Sequence, residues 1–270
     1  MSEEENDPRA AFPDQDTWMP VLFIGHGSPM NAIEDNDYSR AWAEIGAALP
    51  RPKAILCISA HWEKGATQVT AMERPRTIHD FYGFPAPLKS KQYPAPGSPA
   101  LARLVRDMVE DVPIVPDVTW GLDHGAWSVL CRMYPDADIP VVQLSLDCTK
   151  PPPFHHVLGK ALRPLRRKGV LVMGSGNIVH NLSTVVWEDT AFDWAVKFDR
   201  EIKEAIRARD HEAVIYYTQF GDMAKLAVPT NEHFLPLLYV LALRRKDDPL
   251  TFYTEHVTLG SISMRSLRIG

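Results

Sequence analysis

The sequence predicts an α/β fold, a single domain with a mostly parallel central sheet flanked by helices and a metal site at the carboxyl ends of the strands. Three observations carry that prediction. Short apolar runs at residues 21–24, 54–58 and 170–173 read as buried strands, and stretches of helical periodicity separate them. Each run then leads into a histidine: His26 between Gly25 and Gly27, His61 after Ser59-Ala60, and His180 after Gly176-Asn177-Ile178-Val179. Ligands of an open parallel sheet gather beyond the carboxyl ends of its strands, so the three imidazoles are expected along one edge.

Composition narrows the class. With 270 residues, 45% hydrophobic and 23% charged, the chain can fill one sizeable core. A net charge of -5 without a basic stripe argues against nucleic acid as a partner. Arg163, Arg166, Arg167 and Lys168 read as the cationic end of a helix, compensating its dipole in solvent. Three scattered cysteines, Cys57, Cys131 and Cys148, offer no zinc spacing and fit a reducing compartment, so a cytoplasmic protein is expected. Residues 1–18 are acidic without an apolar signal core, which predicts a flexible tail ahead of a domain over residues 19–270. The longest apolar run, residues 234–243, contains Pro236 and is about half a membrane span, so no membrane association is expected.

Taken in order, the first strand and its Gly-His-Gly turn precede a helix over residues 35–49, with Trp42, Ile45 and Leu49 on one face and Pro50 as its stop. A strand to His61 completes an expected β-α-β unit with parallel strands and a right-handed crossover. Residues 67–72 suit another strand. Residues 73–97 hold five prolines and the rings Phe81, Tyr82, Phe84 and Tyr93, the makings of a functional loop that walls a pocket for a planar ligand. Rings that simply pin the loop are the competing reading.

Ser98-Pro99 is an N-cap and first-turn pair that opens a helix through Met108. Residues 113–116 are a short strand, Gly121 to Gly125 a turn, 126–133 an apolar segment and 139–146 a clear strand. A helix over 153–168 is bent at Pro164 and stopped by Gly169. The longest amphipathic helix spans 190–210; Thr230 and Pro236 announce another, with His233 at or just before its first turn. Residues 251–253 and 258–269 alternate like a terminal hairpin.

Of the ten histidines, His155, His156, His211 and His256 read as surface or satisfied core groups. His26, His61 and His180 differ, because glycine-flanked strand ends cost backbone entropy and gain little packing. Imidazoles that converge suit a metal, zinc or iron among the choices. Glu232-His233 brings a third protein ligand of oxygen or nitrogen type, and the residues leave both open. His124 stands beside Asp123, which either orients the ring for acid/base work or shapes the turn. His79 is a weaker case of the same kind, and Glu34 and Asp35 read as charge at a helix N-terminus.

Seven ordered segments then carry a resemblance. Gly25-His26-Gly27-Ser28-Pro29-Met30, Ser59-Ala60-His61-Trp62, Thr77-Ile78-His79-Asp80-Phe81, Tyr93-Pro94-Ala95-Pro96-Gly97, Asp123-His124-Gly125, Gly176-Asn177-Ile178-Val179-His180-Asn181 and Glu232-His233-Phe234-Leu235-Pro236-Leu237 resemble the class III extradiol ring-cleavage dioxygenases, within them the 4,5-DOPA dioxygenase group. The resemblance covers residues 20–270. It implies one α/β domain with a mononuclear metal, Fe(II) for activity and Zn(II) sometimes as the bound ion. It also implies a catechol-type substrate opened with O2 to a semialdehyde. Carried onto this chain, it makes His26 and His61 metal ligands and puts the remaining ligand at Glu232 or His233. His180 becomes a ligand or an acid/base group beside the metal, and His124 a second acid/base histidine. The competing classes are a zinc-dependent hydrolase, which a histidine-only ligand set would suit, and a metal-handling or chelatase-like protein, which the N-terminal Gly-His-Gly-Ser would suit.

Overall fold

A computed structural model describes residues 8–270. Its strands are β1 (Val21–Gly25), β2 (Ala54–Lys64), β3 (Gln68–Thr70), β4 (Val115–Asp117), β5 (Val141–Asp147), β6 (Val170–Gly176), β7 (Leu250–Tyr253), β8 (Val257–Thr258), β9 (Ile262–Ser263) and β10 (Ser266–Ile269). Its helices are α1 (Pro8–Ala11), α2 (Asp37–Ala48), α3 (Ala86–Lys89), α4 (Pro99–Met108), α5 (His124–Met133), α6 (Pro152–Ala161), α7 (Asp193–Ala208), α8 (His211–Ile215), α9 (Asp222–Ala227) and α10 (Leu235–Ala242).

Eight strands form one sheet in the order β4-β3-β5-β2-β6-β1-β10-β7, and β8 pairs with β9 apart from it. The middle of the sheet is parallel, β5 with β2, β2 with β6 and β6 with β1, while β10 and β7 add antiparallel strands at one edge. A side-chain period of two splits each central strand between two cores. Val21 and Phe23 of β1, Leu56 and Ile58 of β2, and Val170 and Val172 of β6 face one apolar cluster, shared with α4, α7 and α10. Leu22 and Ile24, Ile55 and Cys57, and Leu171 and Met173 face the other, shared with α2 and α5. Burial on both faces explains why these strands read as continuous apolar runs rather than alternating ones. Each such side chain contributes about 1.5–3 kcal/mol of transfer free energy, enough to fix the strand ends that carry the site.

Local signals operate as the sequence predicts. Ser98 Oγ accepts the Leu101 amide and Pro99 opens α4. Gly169 adopts φ +72° and ends the helical segment ahead of β6. The apolar run near residue 240 is α10, buried along its length; among the described residues, no helix is long and apolar enough to cross a membrane.

β6 lies between β1 and β2 and pairs with both in parallel, so the expected β-α-β unit spans a strand position that is filled late in the chain. Three expectations change. His61 lies within β2 rather than after it, since a register shift between Ile58 and Glu63 lets the strand continue beside β5. The expected flexible tail is partly outside the described residues, at 1–7, but from Pro8 onward it is docked. Phe12 is buried, Gln15 N donates to Arg167 O at 2.6 Å, and Trp18 lies 4.3 Å from the Arg245 guanidinium. Arg166 is not a solvated dipole partner, for it is fully buried and paired with Asp248 at 2.5 Å.

Candidate metal centre and active site

The turn after β1 presents His26 because Gly25 and Gly27 allow it. Gly27 has φ +55°, and a Cβ there would meet Met264 Sδ at 2.4 Å. His26 N donates to Gly176 O at 3.1 Å, and Asn31 Nδ2 holds the His26 carbonyl at 3.2 Å, which ties the turn to the end of β6. Gly176 in turn admits the segment carrying His233. A Cβ on it would stand 2.1 Å from His233 O, the same carbonyl that accepts the Asn177 amide at 2.9 Å. His124 is the first residue of α5, capped by Asp123, whose carboxylate accepts from Ala126 N at 3.2 Å.

These elements bring five histidines to one cavity of about 690 Å³, lined by His26, His61, His124, His180 and His233. His26 Nε2 and His61 Nε2 are 3.1 Å apart. The rings of His26 and His233 are 5.3 Å apart, those of His61 and His233 5.0 Å, and those of His61 and His124 3.9 Å. His180 stacks on His233 with 3.4 Å between centroids and 7° between planes. Burial, followed by the nearby imidazoles, holds His26, His61 and His233 well below the ordinary histidine pKa; Asp80 partly opposes this at His61. His180 is lowered to about 4 by burial and then by His124. These four rings are neutral at pH 7 and keep lone pairs for a cation.

The other ring nitrogens decide where those lone pairs point. Ser175 Oγ donates its single proton to Gly125 O at 2.5 Å, so at its 3.0 Å contact with His26 Nδ1 the hydroxyl must accept. Glu232 Oε1, 3.0 Å from His233 Nδ1, and Asp80 Oδ2, 3.4 Å from His61 Nδ1, are carboxylate acceptors. At His26 and His233 these acceptors hold the proton on Nδ1 and leave the lone pair on Nε2, the arrangement that outer acceptors impose on metal-bound imidazole, while at His61 the Asp80 carboxylate lies within ion-pair distance. His233 Nε2 is buried without a protein partner. With His26 Nε2 and His61 Nε2 3.1 Å apart, the donor set fits a divalent metal.

A family model for the catalytic LigB subunit of aromatic ring-opening dioxygenase matches residues 20–266. The chain belongs to this LigB family. A protein of Escherichia coli K12 named 4,5-DOPA dioxygenase extradiol is 48% identical, over 94% of this chain and 96% of its own. One of the same name from Beta vulgaris is 41% identical over 83% and 86%. The crystal structure of an uncharacterized protein from Escherichia coli K12 superposes with a TM-score of 0.82 at 43% identity, covering 93% of this chain and 100% of that one. This LigB chain is thus an aromatic ring-opening dioxygenase, an oxidoreductase dependent on a metal, and neither a hydrolase nor a metal-handling role is favoured.

Within the LigB site, the sequence candidates sort by surroundings. Asp123 shapes the turn and does not hold the ring of His124, because its oxygens are taken by Ser59 Oγ and Gln143 Nε2, each at 2.6 Å. Burial and the Asp80 charge push its carboxyl upward, against the pull of those donors. The carboxylate that faces His124 is Asp80, with Oδ2 3.0 Å from Nδ1 and Oδ1 accepting the His124 amide at 2.9 Å. Burial raises its carboxyl, but His124 and His61 outweigh that and leave it below the ordinary value. Asp80 and Ser175 were not among the residues marked by the strand-end pattern; the first lies inside the Ile78-His79-Asp80-Phe81 motif and the second between two glycines of β6. His79 is turned away, its Nε2 2.8 Å from Lys91 O. Both readings of the aromatic loop hold in part: Phe81 and Phe84 line the cavity, whereas Tyr93 is buried and donates to Tyr134 O at 3.0 Å.

Proposed function

We propose that this enzyme opens the ring of a DOPA-like catechol with O2 at Fe(II), giving a semialdehyde, with His26, His61 and His233 as the metal ligands. The observations that support the ligand set are the 3.1 Å approach of His26 Nε2 to His61 Nε2, the His233 ring 5.3 and 5.0 Å from theirs, and the buried His233 Nε2 without a protein partner. Glu232 serves the metal through His233 in this reading. Bound there, Fe(II) would hold catechol and O2 together and acidify the catechol hydroxyls. A zinc ion fits the same nitrogens and would leave the redox step unsupported.

The chain's own groups supply the proton handling. His124, its Nδ1 turned to Asp80, works through Nε2 as the acid/base group. His180, neutral at pH 7, accepts a proton from the substrate beside His233. Phe81 and Phe84 provide the wall for the planar ring and keep water from it. The named activities of the Escherichia coli and Beta vulgaris relatives support the catechol, and the free cysteines support a cytoplasmic setting.

The test is anaerobic loading with Fe(II), addition of DOPA and simple catechols in air, and simultaneous recording of O2 uptake and semialdehyde absorbance. Equimolar O2 uptake and colour are expected, with none for the zinc-loaded protein. Fully iron-loaded protein that leaves every catechol intact would overturn the assignment.

A further inference from the structure

The cavity has a polar wall that the chemistry of ring opening does not use. His61 and Glu63 of β2 both line the cavity, while Trp62 between them is buried. Three carboxylates line the space, Asp80, Glu232 and Glu63. Two are engaged: Asp80 by His124 and His61, and Glu232 by His233 Nδ1 and by Thr230 Oγ1 at 3.0 Å. Among the described residues, no Lys, Arg or His comes within ion-pair distance of Glu63, and neither Lys nor Arg lines the cavity.

We infer that Glu63 is the specificity residue of the site, selecting catechols whose ring substituent ends in an ammonium group and disfavouring those that end in a lone carboxylate. The inference rests on the catechol reading and deepens it. The two catechol oxygens face the histidines, the ring lies against Phe81 and Phe84, and a two-carbon side chain extends along β2 toward Glu63. There an ammonium gains a charged partner at the solvent-exposed mouth of the cavity, whereas a carboxylate meets Glu63 and Glu232 with no cation to offset them. Dopamine is therefore the better match, DOPA with both charges intermediate, and 3,4-dihydroxyphenylpropanoate the poorest.

The test measures kcat/KM by O2 uptake for these three compounds and for uncharged 4-methylcatechol, on iron-loaded wild type and Glu63→Gln. Each value is normalised to 4-methylcatechol in the same protein. Wild type should favour dopamine over the propanoate by at least tenfold, mostly through KM, and the margin should shrink with added salt. In Glu63→Gln the preference should fall about tenfold. Binding of tyramine against 3-(4-hydroxyphenyl)propanoate to the zinc-loaded protein gives the same comparison without turnover. Equal or reversed preference in wild type, or a preference unchanged in Glu63→Gln, overturns the inference while 4-methylcatechol is still opened. Loss of reaction with all four compounds in wild type overturns the catechol reading itself.

Discussion

Asp80 Oδ2 stands 3.0 Å from His124 Nδ1 and also reaches His61 Nδ1 at 3.4 Å, so one carboxylate faces both a proposed metal ligand and a proposed acid/base group. Asn at this position keeps the shape but loses the charge and can offer a donor to either ring. Asp80→Asn should therefore lower kcat by roughly 10- to 100-fold and weaken Fe(II) binding as well. Steady-state kinetics beside an anaerobic iron titration separates the two effects.

Glu232 should act through His233. Glu232→Gln leaves a partner for Nδ1 that can also donate, which frees the ring to adopt the other tautomer and withdraw its Nε2 lone pair. Metal affinity is expected to fall about 10- to 100-fold with little change in thermal midpoint of the metal-free protein. Competition with a chelator reads the first quantity and calorimetry the second.

Gly176 is required by approach rather than by backbone conformation. Its substitution by Ala would drive a methyl into His233 O, and overpacking of this kind costs about 1–3 kcal/mol. Gly176→Ala should lower the urea midpoint and weaken metal binding together, because the carbonyl that must move belongs to the ligand segment.

Away from the metal, His155 sets a pH dependence. Burial lowers its pKa to about 4, partly offset by contacts with Lys150 and Asp147, and its Nδ1 lies 3.0 Å from Tyr239 Oη. The unfolded chain takes up this proton near 6.5 and the folded chain near 4, so stability is full above 6.5 and falls as pH drops through that window. His156, also lowered to about 4 by burial and then Lys160, adds a slope of the same sign. Urea midpoints between pH 7 and 4 should decline for wild type and decline less steeply for His155→Gln.

Much of this arrangement is legible in the chain itself. His26, His61, His124, His180 and His233 all reach the cavity because strand ends, a helix start and a Pro-led helix converge on one edge of the sheet, and those signals are local. What the chain does not show locally is pairing across distance. Asp80 and Ser175 act on rings far away in sequence, and Asp123, the neighbour of His124, turns to Ser59 and Gln143 instead. The position of β6 between β1 and β2 is of the same kind, since hydrogen-bonded neighbours in a parallel sheet need not be consecutive. The docking of residues 8–18 depends on buried Arg166 and on Arg245, which no pattern near the N-terminus announces.

The most direct test of the proposed centre is anomalous diffraction from crystals loaded anaerobically with Fe(II). One peak about 2.1 Å from Nε2 of His26, His61 and His233, with Glu232 bound only to His233 Nδ1, is the expected result. A peak coordinated by the Glu232 carboxylate, or one displaced to His124 and lacking His233, would contradict the ligand set.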